Sequence, residues 1–122
     1  MTPEAGGRVL FLARAGCETP SPVPPVLGED RCDRCHMTVA DPRFGGELLT
    51  SRGRMLRFDD AGCLLEYVVE ESAAAEPRAV WVVDYLDPGR LLPADEAVFL
   101  QSDALLTPMH HAIAAMRPGD SA

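Results

Sequence analysis

Six residues near the N-terminus, Pro20-Ser21-Pro22-Val23-Pro24-Pro25, contain four prolines. Each proline fixes φ and withholds a backbone donor, so this stretch favours extended polyproline geometry and cannot enter a helix or a central strand. It divides the 122-residue chain into an arm over 1–17, a tether over 18–28 and one folding unit over 29–122. The folded part is expected to start between Gly28 and Arg31. That unit has the size of one ordinary domain, and an apolar content of 47% is enough for one core. The net charge of −8, with every one of the eleven basic residues an arginine, excludes a nucleic-acid surface, because neutralising phosphates needs a cationic face.

Ahead of the tether, Arg8 precedes Val9-Leu10-Phe11-Leu12-Ala13, and Arg14-Ala15-Gly16-Cys17 follow. The apolar run is too short to span a bilayer. It has the outline of an export signal instead: a basic residue, an apolar stretch, then small residues before a cut site. Ala-Gly-Cys resembles the end of a bacterial lipobox, in which the cysteine is lipidated and becomes the new N-terminus. On this reading 1–17 is a lipoprotein signal segment, Cys17 is the lipidation site and the tether holds a domain off a membrane. Arg14 stands where a lipobox carries an apolar residue, and the plain alternative is an arm with an incidental cysteine.

Within the domain, Phe44 to Ser51 and Arg54 to Phe58 have strand composition and flank a tight Arg52-Gly53 turn, which predicts a β-hairpin. Asp59 and Asp60 suit a helix N-cap. Cys63, Leu64, Tyr67 and Val68 recur at helical spacing over Ala61 to Glu71. Arg78 to Tyr85 is a β-branched and aromatic strand closed by Asp87-Pro88-Gly89. A turn at Pro93 to Asp95 and a strand over Ala97 to Gln101 follow. Thr107-Pro108 reads as N-cap and first residue of a short helix running towards Met116. The expected fold is α+β, of β-β-α-β order with a further strand and a C-terminal helix.

Two clusters offer ligand chemistry. Cys32-Asp33-Arg34-Cys35-His36-Met37 places two thiols, an imidazole and a thioether in six residues. A structural zinc wants four ligands, normally from two such knuckles, and the chain has one C-x-x-C. A thioredoxin-like redox pair belongs at a helix start after a strand, a context missing here. Thioether donors select monovalent copper. A plain Cys32–Cys35 disulfide or a buried thiol pair is the structural alternative. The second cluster is Thr107-Pro108-Met109-His110-His111, in which Met109, Ile113 and Met116 also fit an ordinary core stripe. Asp59 and Asp60 beside Cys63 are explained by capping and by the buried helix face. No glycine-rich phosphate loop or nucleophile motif is present, which argues against an enzyme.

The run from Glu29 to Phe44, with Cys32-Asp33-Arg34-Cys35-His36-Met37 at its centre, resembles the opening motif of the NosL family, lipoprotein copper chaperones associated with nitrous oxide reductase assembly. Gly53, Phe58-Asp59 with Cys63, Val82 to Tyr85, Glu96 to Phe99 and Thr107-Pro108-Met109 continue the likeness in order. The resemblance implies an exported copper(I) carrier on the periplasmic side of a membrane, with a fold related to organomercurial lyase. By position, the family's Cys-x-Met falls on Cys35 and Met37 and its Pro-Met on Met109. Cys32 ranks below Cys35 as a ligand, and His110 is a further candidate. His36 and His110-His111 stand where the family usually has glycine. The implied partner is a recipient copper protein or its assembly machinery, nitrous oxide reductase being one such recipient. The rival reading is a thiol–disulfide protein using Cys32 and Cys35.

Overall fold

The structure, a computed structural model, describes residues 19–71 and 76–120; Cys17 and the signal-like arm lie outside them. Gly46–Leu49 (β1) and Met55–Phe58 (β2) form the expected hairpin, with Gly46 opposite Phe58 and Leu49 opposite Met55. Its turn is tied by the Gly53 N–H to the Thr50 carbonyl at 3.0 Å and by the Arg54 N–H to Thr50 Oγ1 at 3.0 Å. Gly53 sits at φ +90°, a conformation open to glycine at little cost. The single α-helix among the described residues, α1, spans Ala61–Glu71 as the spacing predicts. Asp60 caps it, accepting the Gly62 N–H at 2.7 Å.

Ala79–Asp84 (β3), Asp87–Pro93 (β4), Val98–Gln101 (β5) and Ile113–Met116 (β6) complete a mixed six-stranded sheet. Its order is β2-β1-β3-β6-β5, with β4 also paired to β3. All pairings are antiparallel except β3 with β6, which meet in parallel at Asp84 and Ala115. The first four elements run β-β-α-β, and the class is α+β. The helix packs on β1, β2 and β6. Leu48, Leu56, Phe58, Cys63, Leu64, Val82, Leu92 and Ala115 form the core, joined by Cys32. Burying a leucine such as Leu64, 0% exposed, contributes about 1.5–3 kcal/mol.

Residues 107–116 correct the expected C-terminal helix. His110 and Ala112 lie at φ 61° and 59°, which no α-helix accommodates. Thr107 acts as the hub of a turn, its carbonyl accepting the His110 N–H at 3.1 Å and its Oγ1 the Ala112 N–H at 3.0 Å. The chain then enters β6, where Ile113–Met116 pair with Gln101–Val98. The helical spacing of Met109, Ile113 and Met116 is coincidental, because pairing on both sides of β6 outweighs a short helical stripe. Strand β4 is a second difference. Its Asp-Pro-Gly start reads as a turn alone, yet it pairs along β3 from Asp84 to Trp81, and its prolines are tolerated on a strand with one partner.

Residues of the expected tether make hydrogen bonds to the sheet and to the chain beside it. The Val23 N–H donates to Glu47 Oε1 at 2.9 Å, Arg57 Nη2 donates to the Val23 carbonyl at 3.0 Å, and the Gly28 N–H donates to the Val39 carbonyl at 2.9 Å. Pro24, Pro25 and Leu27 thereby line an apolar cavity of about 250 Å³ with Phe58, Val83 and Leu91.

Candidate metal centre

The C-x-x-C stretch folds as a narrow knuckle closed by a bridge between Arg31 and Thr38. The Cys32 N–H donates to the Met37 carbonyl at 2.8 Å, and the His36 N–H to the Cys32 carbonyl at 2.9 Å. His36 completes the reversal at φ 67°, a left-handed conformation uncommon outside glycine. Two anchors place the knuckle. Asp33 and Arg57 exchange hydrogen bonds of 2.7 and 2.8 Å, fixing it to β2. Arg34 reaches Glu66 at 3.1 Å and Glu70 at 2.9 Å, fixing it to α1.

This docking brings the knuckle against the start of α1. Donor atoms of Cys32, Cys35, Asp59 and Cys63 all lie within 4.8 Å of one another. Cys32, Cys63 and Asp59 are buried, while Cys35 is half-buried and faces both Asp59 oxygens at 3.4 and 3.5 Å. The three cysteines are free thiols, and the Cys35 N–H points to Cys32 Sγ at 3.5 Å. Burial, with the neighbouring Cys32 thiol and the Asp59 carboxylate behind it, pushes the Cys35 thiol up to about 11 against a lowering contribution from the Met37 backbone. Burial first, then Cys32, Cys35, Asp59 and Asp60, pushes Cys63 up further. Thiolates so close together and beside a carboxylate need a cation to offset their repulsion.

The donor set fits a soft or borderline ion. Two sulfurs bound at about 2.3 Å to one tetrahedral ion stand about 3.8 Å apart, so donor atoms that lie within 4.8 Å of one another close onto such an ion with a contraction of up to about 1 Å. Asp59 and Cys63 were assigned by sequence to capping and core. The cap is Asp60, and Cys63 is indeed buried, but its face of α1 is the one the knuckle covers. The signal for it was the Asp-Asp-x-x-Cys spacing, which puts a thiol in the first turn after the cap.

The other expected ligands lie nearer the surface. Met37 is 59% exposed and Met109 38%; His36 and His110 are exposed. The Met109 turn nonetheless docks at the same helix start, its N–H donating to Asp60 Oδ2 at 3.0 Å. His111, rather than His110, makes the inward contacts: Nδ1 lies 3.1 Å from Asp60 Oδ1 and Nε2 3.4 Å from Glu66 Oε1. Its ring lies over Gly62, where a Cβ would sit 2.0 Å from the His111 ring carbon Cγ. The two sequence-distant clusters therefore converge on the residues Asp59 to Cys63.

No helix among the described residues is long and apolar enough to cross a membrane. No curated protein and no solved structure matches the chain. The family model described as NosL matches residues 22–122, a span that holds the knuckle, the start of α1 and the Met109 turn, and the chain belongs to the NosL family.

Proposed function

We propose that this protein binds copper(I) and passes it to a recipient protein, with no catalytic step of its own. The observation that carries this reading is the hydrogen bond from the Met109 N–H to Asp60, which brings a thioether-bearing turn to the helix start where the Cys35 thiol meets Asp59. Cys35 supplies the thiolate, and Met37 and Met109 supply thioethers, donors that favour monovalent over divalent ions. Cys32 and His110 are the reserve donors. Membership of a copper-binding accessory family supports the same ion.

Exposure of the thioethers suits a carrier. Copper held partly by exposed soft donors is open to attack by a partner's thiol or imidazole, so transfer proceeds through a shared intermediate without releasing a free ion. Export, lipidation at Cys17, a periplasmic location and delivery to a copper enzyme such as nitrous oxide reductase belong to this proposal. A thiol–disulfide function is supported less well. An attacking thiol needs a lowered pKa, usually at a helix N-terminus, and Cys35 lies in a hairpin knuckle with its thiol pushed up.

The test is anaerobic titration of the reduced protein with copper(I) against a competing chelator. One equivalent is expected to bind tightly, and Met109→Ala is expected to weaken it about 10-fold or more, one such factor being 1.4 kcal/mol. Failure to take up a stoichiometric equivalent overturns the carrier reading. Uptake that Met109→Ala leaves unchanged removes the turn from the site.

A further inference from the structure

Among the described residues β2, β4 and β5 are each paired on one side alone, and their open sides differ. That of β2 is covered, because Asp33 of the knuckle donates its N–H to the Arg57 carbonyl at 2.7 Å and accepts the Arg57 N–H at 2.8 Å. Strand β4 carries Pro88 and Pro93, which have no N–H to offer, and the charges of Asp87 and Arg90, features that blunt a sheet edge. Strand β5, Val98-Phe99-Leu100-Gln101, has neither protection. It holds no proline and no charge, and its register with β6 is unbroken. All four residues are exposed, Val98 at 47%, Phe99 at 38% and Leu100 at 39%. We infer that β5 pairs antiparallel with β5 of a second copy of this chain.

The hydrogen bonds of β5 set the register. The Ser102 N–H donates to the Ala112 carbonyl at 3.0 Å, one step past the Gln101–Ile113 pair. Bonded and non-bonded pairs alternate along an antiparallel ladder, so Val98, Leu100 and Ser102 turn their main-chain groups to β6. The Ala115 carbonyl agrees, since it accepts the Tyr85 N–H at 2.8 Å on the side away from Phe99. Phe99 and Gln101 therefore turn an N–H and a C=O each to the open edge. A two-fold axis at Leu100 sets Phe99 of each copy opposite Gln101 of the other and joins every one of these donors to an acceptor. Centring on Phe99 instead would need the Ala97 N–H, which already donates to the Ala94 carbonyl at 3.3 Å. Centring on Gln101 would run past Ser102, whose carbonyl is taken by the Leu105 N–H at 3.0 Å.

Charge and size bear on the occupant. Two copies of a chain with net charge −8 repel wherever acidic surfaces meet, and Ala97 to Ser102 is an uncharged stretch between Glu96 and Asp103. At its centre Leu100 faces Leu100 of the second copy in a non-bonded pair, with Cα atoms about 4.5 Å apart. The pairing is isologous and closes on itself, and the covered β2 and blunted β4 stop the sheet from growing further. At about one hydrogen bond per 100–200 Å², the bonds so made correspond to about 400–800 Å² of interface. Stable complexes bury about 1,200 Å² or more. The dimer is therefore reversible, with Kd between about 1 µM and 1 mM.

The experiment is analytical ultracentrifugation of the reduced, metal-free protein between about 10 µM and 1 mM, where neither a metal bridge nor a disulfide joins copies. Mass is expected to rise from one copy towards two across that range. Leu100→Lys and Leu100→Glu each set like charges directly opposite at the centre of the pair, and each is expected to weaken association about 10-fold or more. An equimolar mixture of the two variants sets opposite charges there and is expected to restore the dimer as a heterodimer. Hydrogen exchange on the wild-type chain needs no variant to fold. The Phe99 and Gln101 amides are expected to slow severalfold from the dilute to the concentrated sample, while the Leu100 amide, already bonded to β6, is unchanged. A single copy at about 1 mM, a dimer that both Leu100 variants keep, a mixture that stays monomeric, or protection that fails to alternate along β5 overturns the inference.

Discussion

Two carboxylates, Asp60 and Glu47, are each 0% exposed, and each fastens a distant stretch of chain to the body of the domain. Asp60 holds the turn carrying Met109. Its oxygens accept the N–H groups of Gly62 and Met109 and meet His111 Nδ1, at 2.7, 3.0 and 3.1 Å. Glu47 holds the proline-rich segment through one bond from the Val23 N–H to Oε1. Its Oε2 is buried without a hydrogen-bond partner, with Arg57 Nε 3.5 Å away. The turn beside the candidate metal centre is thus fastened by a fully used carboxylate, and the proline strap by a half-used one. Rigid placement is concentrated where donors from different parts of the chain have to meet.

Removing the carboxylate tests that difference most severely. Asp60→Ala deletes the cap of α1, worth about 0.5–2 kcal/mol. It also strands the Met109 N–H, so the total loss is about 2–4 kcal/mol. Urea unfolding of the reduced, metal-free protein measures it, and hydrogen exchange at the Met109 amide reports whether the turn comes loose. Asp60→Asn keeps one carbonyl acceptor and is expected to lose less. If Asp60→Ala costs no more than Glu47→Ala, the contrast between the two anchors is wrong.

The second test concerns the space beside Asp60. In Gly62→Ala the new Cβ would meet Cβ, Cγ and Nδ1 of His111 at 2.4 Å or less. These atoms are not the free end of a flexible chain, so the 107–112 turn has to shift, at the roughly 1–3 kcal/mol typical of overpacking. Truncating the ring in His111→Ala is expected to remove most of that cost, and a double-mutant cycle measures the coupling. Additive losses would show that the ring does not rest on Gly62.

Legibility in sequence follows the same division between local and non-local causes. The β1–β2 hairpin and α1 were readable because their signals are local: strand runs around Arg52-Gly53, a cap at Asp60 and helical spacing after it. Residues 107–116 were misread because their conformation is set by partners far along the chain, Asp60 for the turn and β5 for the strand. Strand β4 was hidden by Pro88 and Gly89, which mark turns locally but sit here on a singly paired strand. At the site, Cys32 and Cys35 were evident from spacing. Cys63 was placed on the correct, buried face of α1, but helical periodicity does not show what covers that face. The knuckle that does so is held by Asp33 and Arg34, through contacts to Arg57, Glu66 and Glu70.

The smallest expected effect comes from the looser anchor, and it depends on pH. Burial raises the Glu47 carboxyl above its ordinary 4.5, against lowering by the Val23 N–H and Arg57. The folded state therefore holds this proton to higher pH than the unfolded chain does. Its contribution to stability is complete below about 4.5 and is lost as pH rises through the folded value. Glu47→Gln fixes the neutral form and keeps a carbonyl acceptor for the Val23 N–H. Relative to wild type, its stability is expected to fall less steeply above pH 4.5, and at neutral pH it should be at least as stable, within about 1 kcal/mol. Thermal unfolding of both proteins across that range gives the difference curve, in which groups common to the two cancel. A flat difference would mean that Glu47 ionises alike in both states. The strap would then be held as firmly as the Met109 turn.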